Sequence, residues 1–201
     1  MAISTYAELQ AAIADFLNRD DLTSVIPTFI SLAEAQMARD IRHWRQEKRV
    51  VTTVDEQYEN LPSDWLSMIS LRLTDGGRLS IISSAEMQDR QERSQSTGKP
   101  MHYRITSDQI EFYPAPSEGY GLTMQYYAKV PALSSVQTDN WILQEAPDVY
   151  LYGALVHASP YLSDDNRTQV WAAFYRAGVE ALNRDSMSAR ASGPLRMGVP
   201  R

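Results

Sequence analysis

The sequence predicts a mainly α-helical protein whose N- and C-terminal helices form a small bundle around an inserted antiparallel β module. Apolar residues recur at helical spacing near both ends of the chain, whereas in the middle the spacing falls to about two, as in strands. Gly and Pro then accumulate after Ser186, which favours an extended segment. We therefore assign residues 1–47 and 140–186 to the helical bundle. Residues 48–139 form the inserted β module with a short helix, and residues 187–201 form an extended C-terminal arm.

The first helix is predicted from Tyr6 to Arg19, because Thr5 and Glu8 have the spacing of a capping box. Its apolar face consists of Leu9, Ile13, Phe16 and Leu17. A second helix begins near Pro27, a residue that suits a first helical turn. Its narrow apolar stripe consists of Ile26, Ile30, Ala33, Met37, Ile41 and Trp44. Such a stripe is typical of a helix that packs against another helix. Basic residues follow from Arg39 to Arg49, where the C-terminal end of a helix favours them.

The β module is predicted from runs rich in Val, Thr, Ile and Tyr that alternate with polar residues. The predicted strands are 49–54, 66–74, 78–82, 101–105, 109–113 and 121–130. Asp75-Gly76-Gly77 predicts a tight hairpin, since glycine adopts the positive φ angles that such turns need. Ser83 predicts the N-cap of a short polar helix that ends near Arg93.

The C-terminal helices begin at Pro147 and are interrupted at Pro160. Leu151, Ala154, Leu155 and Ala158 share one face of the first of them. Residues 163–165 predict the N-cap of a final helix. Its predicted apolar face consists of Val170, Phe174, Ala177, Ala181 and Leu182.

The composition is that of a soluble globular domain, with 201 residues, 43% hydrophobic and 22% charged,. The absence of cysteine excludes disulfides, thiolate metal sites and cysteine nucleophiles,. A formal charge of −6 argues against broad affinity for nucleic acid,. No apolar run approaches the roughly 20 residues that span a bilayer, and the N-terminal pattern lacks the features of a signal peptide. We therefore expect that the protein is made in a cytoplasm and does not associate with a membrane.

Candidate catalytic and cofactor-binding groups are few. The histidines at 43, 102 and 157 lie in different predicted elements and have no metal-ligand spacing. Phosphate-binding glycine loops and the GxSxG elbow of serine hydrolases do not occur. Glu34 could face a cleft, and a glycosidase would need a second carboxylate within about 5–10 Å of it. We expect no catalytic residue, metal or cofactor, and a cell-wall glycosidase used at cell entry remains the enzymatic alternative.

Five segments taken together resemble the tailed-phage adaptor family, also called head-to-tail connector or head-completion proteins. The signature region is Asn140 to Leu143 followed by Ala146 to Leu155. The other four segments are Thr5 to Leu9, Phe29 to Glu34 leading to Arg39, Tyr103 to Ile105 continuing through Glu111 to Pro116, and Asp164 to Arg167 before Trp171. Their joint order is more specific than any one of them, and the resemblance covers about residues 3 to 185.

The resemblance implies a structural virion protein at the head-to-tail junction, assembled in the cytoplasm of the bacterial host. It implies a homo-oligomeric ring, usually of about twelve copies, that joins the portal protein to a tail nozzle or tail-tube protein. Double-stranded DNA would pass through this ring at ejection without tight binding. About twelve copies of charge −6 would carry roughly −72, which suits a channel along which DNA slides. A neck or tail-terminator protein that does not touch the portal is the structural alternative.

The resemblance also places the contacts with partners. The arm would dock on the portal through Gly193, Pro194, Leu195, Arg196, Met197, Val199 and Arg201. Aromatic and arginine side chains suit partly wet subunit interfaces. The candidate subunit-interface residues are Trp44, Arg45, Trp141, Tyr150, Tyr152, Arg167 and Trp171.

Overall fold

The computed structural model describes residues 3–162 and 167–191 of the chain. Within them it contains both helices and strands. The α-helices are α1 (Tyr6–Leu17), α2 (Ile26–Asp40), α3 (Ser84–Arg93), α4 (Trp141–Glu145), α5 (Pro147–Ala158) and α6 (Arg167–Ala191). The strands are β1 (Glu47–Val54), β2 (Tyr58–Asn60), β3 (Trp65–Leu73), β4 (Ser80–Ile81), β5 (Thr97–Gly98), β6 (His102–Thr106), β7 (Gln109–Tyr113), β8 (Ala115–Pro116) and β9 (Tyr120–Ala128).

The chain divides into two compact units. The helical unit comprises the residues up to Arg45 and those from Val130 onward, and the β unit comprises Gln46–Lys129. The sequence predicts the second boundary at residue 139, ten residues later. Residues 130–140 join the helical unit because their polar groups bond within it. The Tyr6 amide donates to the Thr138 carbonyl (2.7 Å), and the Asn140 side-chain amide donates to the Pro131 carbonyl (2.9 Å).

α5 lies at the centre of the helical unit and is buried on most of its faces. Gly153 allows this position, because a Cβ there would lie 3.2 Å from Ala33 of α2 and 3.2 Å from the Tyr175 ring of α6. The capping box at Thr5 and Glu8 is present and begins α1 as predicted. The core of the unit is formed mainly by the buried faces of α1, α2, α5 and α6.

Four predicted features of the helices were wrong. Phe16 is exposed, while Leu9, Ile13 and Leu17 are buried. α2 ends at Asp40, so Trp44 lies outside it in a 3₁₀ turn, Trp44–Gln46, and the basic residues 42–49 are not a helix end.

The face of α6 is the third correction. Val170 and Phe174 are 50% and 49% exposed, whereas the next residue along in each case, Trp171 and Tyr175, is buried. A shift of one residue turns a helix by about 100°. The larger aromatic rings therefore enter the core. Of the predicted stripe, Leu182 is half-buried against the core, and the other four residues face outward.

α6 also continues to Ala191, past the predicted start of the extended arm at residue 187. Ser186 is buried and accepts a hydrogen bond from the Trp44 amide (3.0 Å). Asn183 bonds the backbone at both Asp40 and Arg42. These contacts hold the helix in register beyond the point where its apolar pattern ends. Residues 192–201 lie outside the described residues.

The β unit contains three small sheets with strand orders β1-β9-β3, β2-β7-β6-β4 and β5-β8. The first is antiparallel throughout, as predicted, but β4 pairs with β6 and β5 with β8 in parallel. The predicted hairpin at Gly76 forms, with φ of +105°. Its return strand pairs with β3 only around Arg78, and β4 then turns away to β6. The alternating side chains of β9 supply Leu122, Met124 and Tyr126 to the core of the unit.

Candidate interaction surfaces

The first candidate surface, here called the tryptophan cluster, brings together Trp44, Arg45 and Trp141 in the helical unit. The His43 ring stacks on Trp141 with centroids 4.7 Å apart and planes 25° from parallel. The Arg45 guanidinium lies 4.9 Å from the centre of the Trp44 ring and forms a salt bridge with Glu145. Three of the predicted interface residues therefore lie side by side.

The backbone of the tryptophan cluster is held by the C-terminal half of α6. The amides of Arg42 and Trp44 donate to the side chains of Asn183 and Ser186, each at 3.0 Å. His43 is buried, and its Nε2 lies 3.4 Å from the Asp185 carboxylate. Trp44 itself remains 41% exposed. The cluster thus presents an aromatic ring and an arginine on a backbone that α6 holds in place. Aromatic residues and arginine are the residue types that dominate binding energy at interfaces.

Tyr150 does not lie on a surface, so its assignment to a subunit interface was wrong. Its side chain is 1% exposed. The Tyr150 hydroxyl receives a hydrogen bond from Asn140 (2.6 Å) and donates to Glu34 (3.2 Å). Burial and the nearby Glu34 carboxylate raise the pKa of this tyrosine far above its usual value.

The Glu34 carboxylate has hydrogen-bond partners that link different parts of the helical unit. Besides the hydrogen bond from the Tyr150 hydroxyl, its carboxylate accepts one from the Leu133 amide at 2.7 Å. Burial raises the pKa of Glu34, and these two hydrogen bonds act in the opposite direction. Glu34 therefore joins α2 to the segment after Val130. Residue spacing alone could not reveal this role.

The second candidate surface lies on the outward side of α5 and α6. Tyr152, half-buried, packs against the exposed Phe174 with ring centroids 4.9 Å apart. Arg167 lies 5.1 Å from the centre of the Trp171 ring and donates to the Phe16 carbonyl at 3.3 Å. Trp171 is buried, so only Tyr152 and Arg167 of the predicted residues remain accessible here. Phe174, predicted to be in the core, joins them at the surface.

The remaining predicted positions are the portal-binding arm and the histidines. Residues 193–201 of the arm lie outside the described part of the chain. His157 bonds Gln36 (3.0 Å), and burial lowers its pKa. Burial likewise lowers the pKa of His102. Across residues 3–162 and 167–191, no three potential metal ligands come together, and none of the helices has the length and apolar character to cross a bilayer.

The β unit contains a buried carboxylate that the sequence did not indicate. Glu111 is fully buried and forms a salt bridge with Arg104. It also accepts hydrogen bonds from Gln91 (2.7 Å), the Tyr58 hydroxyl (2.8 Å) and Gln57 (3.4 Å). Burial acts to raise the pKa of Glu111, but the hydrogen bonds from Gln91, Arg104 and Tyr58 outweigh it and hold the pKa below the usual value. Because every donor points at one carboxylate, Glu111 joins α3, β2, β6 and β7.

Two grooves open on the β unit. One, of about 390 Å³, is lined by uncharged polar side chains that include Gln57, Gln91 and Gln95. The other, of about 400 Å³, lies beside β3 and β4 and is lined by both polar and apolar side chains, the polar ones being Ser70, Arg78 and Ser80. Its apolar members are Ile69, Leu71, Leu79, Ile81 and Tyr103.

Comparison with known protein families gives a match over nearly the whole chain. The family model described as SU10 adaptor protein matches residues 4–198, which include the whole β unit and almost all of the helical unit. No curated protein matches the chain.

Proposed function

This chain belongs to the SU10 adaptor protein family, a family of phage head-to-tail adaptors, and on that premise we propose that its copies form a ring joining portal to tail. The observation that carries the proposal is the extent of the family match. A match over residues 4–198 includes both compact units and most of the C-terminal segment, so it does not rest on one shared domain. The role in the phage is structural, and the ring and its two partners are the proposed part.

The exposed aromatic surfaces support a binding role. A ring of identical subunits needs two different patches on each subunit, because every contact is heterologous. The helical unit carries two patches that are separate in sequence, the tryptophan cluster and the surface around Tyr152 and Phe174. Each combines aromatic rings with an arginine, a composition enriched at interfaces.

We further propose that the protein is not an enzyme. The candidate carboxylate for glycoside cleavage, Glu34, is bonded to Leu133 and Tyr150, and Glu111 is bonded to Arg104 and three neutral donors. Both therefore have structural partners that stabilise the fold. A zymogram on the host cell wall tests this point, since a cleared band at the mass of the protein would contradict it.

The test of the adaptor role uses the portal ring encoded by the same phage genome. Mixing the two purified proteins and imaging the product by electron microscopy should show a collar stacked on the portal, with a matching rotational symmetry. If the two components stay separate, portal docking is wrong, and a neck or tail-terminator role takes its place.

A truncation then tests the arm. Deleting residues 192–201 leaves all of α6 in place, so any loss of binding is not a loss of the helix. The proposed docking of Leu195, Met197 and Val199 predicts that the truncated protein no longer binds the portal. The matched control replaces Ser188 by Ala near the end of α6 and keeps the full segment, and it should bind as the parent protein does. Unchanged binding by the truncated protein would exclude the arm as the docking element.

A further inference from the structure

The groove of about 390 Å³ in the β unit, here called the glutamine groove, combines several uncharged polar side chains around one space. Its volume lies within the range of small-ligand sites. None of the described residues that line it carries a charge, and three of them are glutamines. Its polar lining residues are Gln57, Gln91, Gln95, Ser96, Thr97 and Tyr113.

Glu111 fixes the orientation of two of these amides. Its carboxylate is fully buried and paired with Arg104, and an ionised carboxylate only accepts hydrogen bonds. The Nε2 atoms of Gln91 and Gln57 lie 2.7 and 3.4 Å from Glu111 Oε1. Each amide therefore turns its nitrogen towards Glu111. Within the described part of the chain, the side-chain oxygens of Gln57 and Gln91 receive no hydrogen bond, so these two fixed acceptors are left for a ligand.

The other groups of the groove also have capacity for a ligand. Among the described residues, no group bonds the side chains of Gln95 and Ser96. The Tyr113 hydroxyl lies 3.1 Å from each of the Arg90 and Ser94 carbonyls, to which it donates. It has no proton left for a ligand, so its aromatic ring is the main surface that it offers. The groove therefore offers oriented acceptors, adaptable polar groups and one ring.

We propose that the glutamine groove binds a neutral saccharide of one or two sugar units. Sugar hydroxyls can donate to the oxygens of Gln57 and Gln91 and can also accept from the amide N–H groups. A sugar ring has an apolar face of C–H groups that can pack on an aromatic ring such as that of Tyr113. This inference goes beyond the proposed ring of subunits and does not depend on it.

Other classes of ligand match the groove less well. An apolar ligand would cover the oxygens of Gln57 and Gln91 without bonding them, which costs free energy. An ion would meet no opposite charge among the described lining residues. A peptide backbone carries one donor per residue, so it places fewer donors in the same volume than a saccharide does.

The bound saccharide should not be cleaved. Glycoside cleavage commonly uses two carboxylates that flank the scissile bond, and none of the described lining residues has a carboxylate. Glu111 is fully buried and already accepts from Arg104, Gln91, Tyr58 and Gln57. The groove therefore has the chemistry of a binding site alone.

The experiment is a titration of the full-length protein, followed by nitrogen–proton correlation NMR. The probes are three neutral trisaccharides, namely maltotriose, raffinose and the trimer of N-acetylglucosamine. At least one of them should shift the side-chain amide signals of Gln57, Gln91 and Gln95, with a Kd of about 1 mM. A short peptide of glycine, asparagine and glutamine should leave these signals in place.

Two variants connect the binding to the groove. Gln95→Ala removes an exposed amide that has no partner within the described residues, and Gln57→Met keeps the chain length while it removes a fixed oxygen. Each should weaken saccharide binding roughly fivefold or more. The matched control is Gln88→Ala, an exposed glutamine of α3 outside the groove, which should bind as the parent protein does. Gln95→Ala should also keep the melting behaviour of the parent, because its side chain is exposed.

Three results would overturn the inference. They are an absence of shifts with all three trisaccharides, shifts that stay the same in Gln95→Ala, and shifts that only the peptide produces. If Gln57→Met fails to fold, the comparison of Gln95→Ala with Gln88→Ala decides the question. Because the titration uses no portal protein, its failure leaves the proposed ring untouched, and failure to form collars leaves the saccharide site untouched.

Discussion

Replacing Glu111 by Ala should destabilise the β unit far more than the loss of an exposed carboxylate from the same unit. The Glu111 side chain is fully buried and forms a salt bridge with Arg104. Removing it leaves the Arg104 guanidinium without its anion and three further donors without their acceptor. Breaking a buried pair by removing one partner costs about 3–5 kcal/mol. The free energy of unfolding of the unit should fall by that amount.

The measurement is hydrogen exchange by mass spectrometry on peptides from β6 and β7 during a urea titration. This readout reports the β unit separately, which matters because the helical unit has its own core. Glu118→Ala is the matched control, since Glu118 is exposed. It should change the free energy of unfolding by no more than about 0.5 kcal/mol.

The contacts of Glu111 predict two further results. Replacing both partners by apolar residues, R104M/E111L, should restore much of the loss, because a buried pair is often worth little relative to apolar packing. The pKa of Glu111 is lowered in the folded protein, so its stabilisation is complete above the ordinary value of 4.5 and is lost as the pH falls below it,. A loss under about 1 kcal/mol for Glu111→Ala at neutral pH would refute the account of Glu111 as the central acceptor.

Four substitutions give three further tests of the helical unit, each by thermal or urea unfolding against the parent protein. Thr5→Ala removes the cap of α1 and should cost about 1 kcal/mol,; no change would mean that α1 does not depend on its capping box. Gly178→Ala would place a Cβ 2.7 Å from the buried Val149 side chain. In an open helix this substitution stabilises by about 1 kcal/mol, but here the clash should lower the free energy of unfolding by about 1–3 kcal/mol. A gain in stability would contradict the close contact. Trp171→Ala should cost about 3–5 kcal/mol and Phe174→Ala far less, because only the tryptophan is buried,; equal losses would contradict the observed face of α6.

The sequence determined the local elements, because their causes lie within a few residues. The capping box of α1, Pro at the first turn of α2 and α5, the Ser83 N-cap of α3 and the positive φ at Gly76 all appear where the residues predicted them. The run of short matching segments also indicated the adaptor family, which the family match over residues 4–198 shows.

The burial of the predicted interface residues is not determined by their neighbours along the chain. A tryptophan, tyrosine or arginine is the same residue in the sequence whether its side chain faces a partner or the core. Tyr150 and Trp171 are buried, while Phe174 is at the surface. No pattern of neighbours along the chain distinguishes these cases, since the difference is set by which helices surround α5.

Tertiary structure alone decided the face of α6, its length and the partners of the buried carboxylates. Two apolar stripes lie about one residue apart on α6, so periodicity permits either. The packing of the Tyr175 ring beside Gly153 and the burial of Trp171 select one. α6 extends to Ala191, and its C-terminal half is held by hydrogen bonds that Asn183 and Ser186 accept from residues about 140 positions earlier in the chain. Glu111 likewise gains its donors from three other elements. Local propensity acts over one or two turns of chain, whereas burial and hydrogen bonding depend on segments that folding alone brings together.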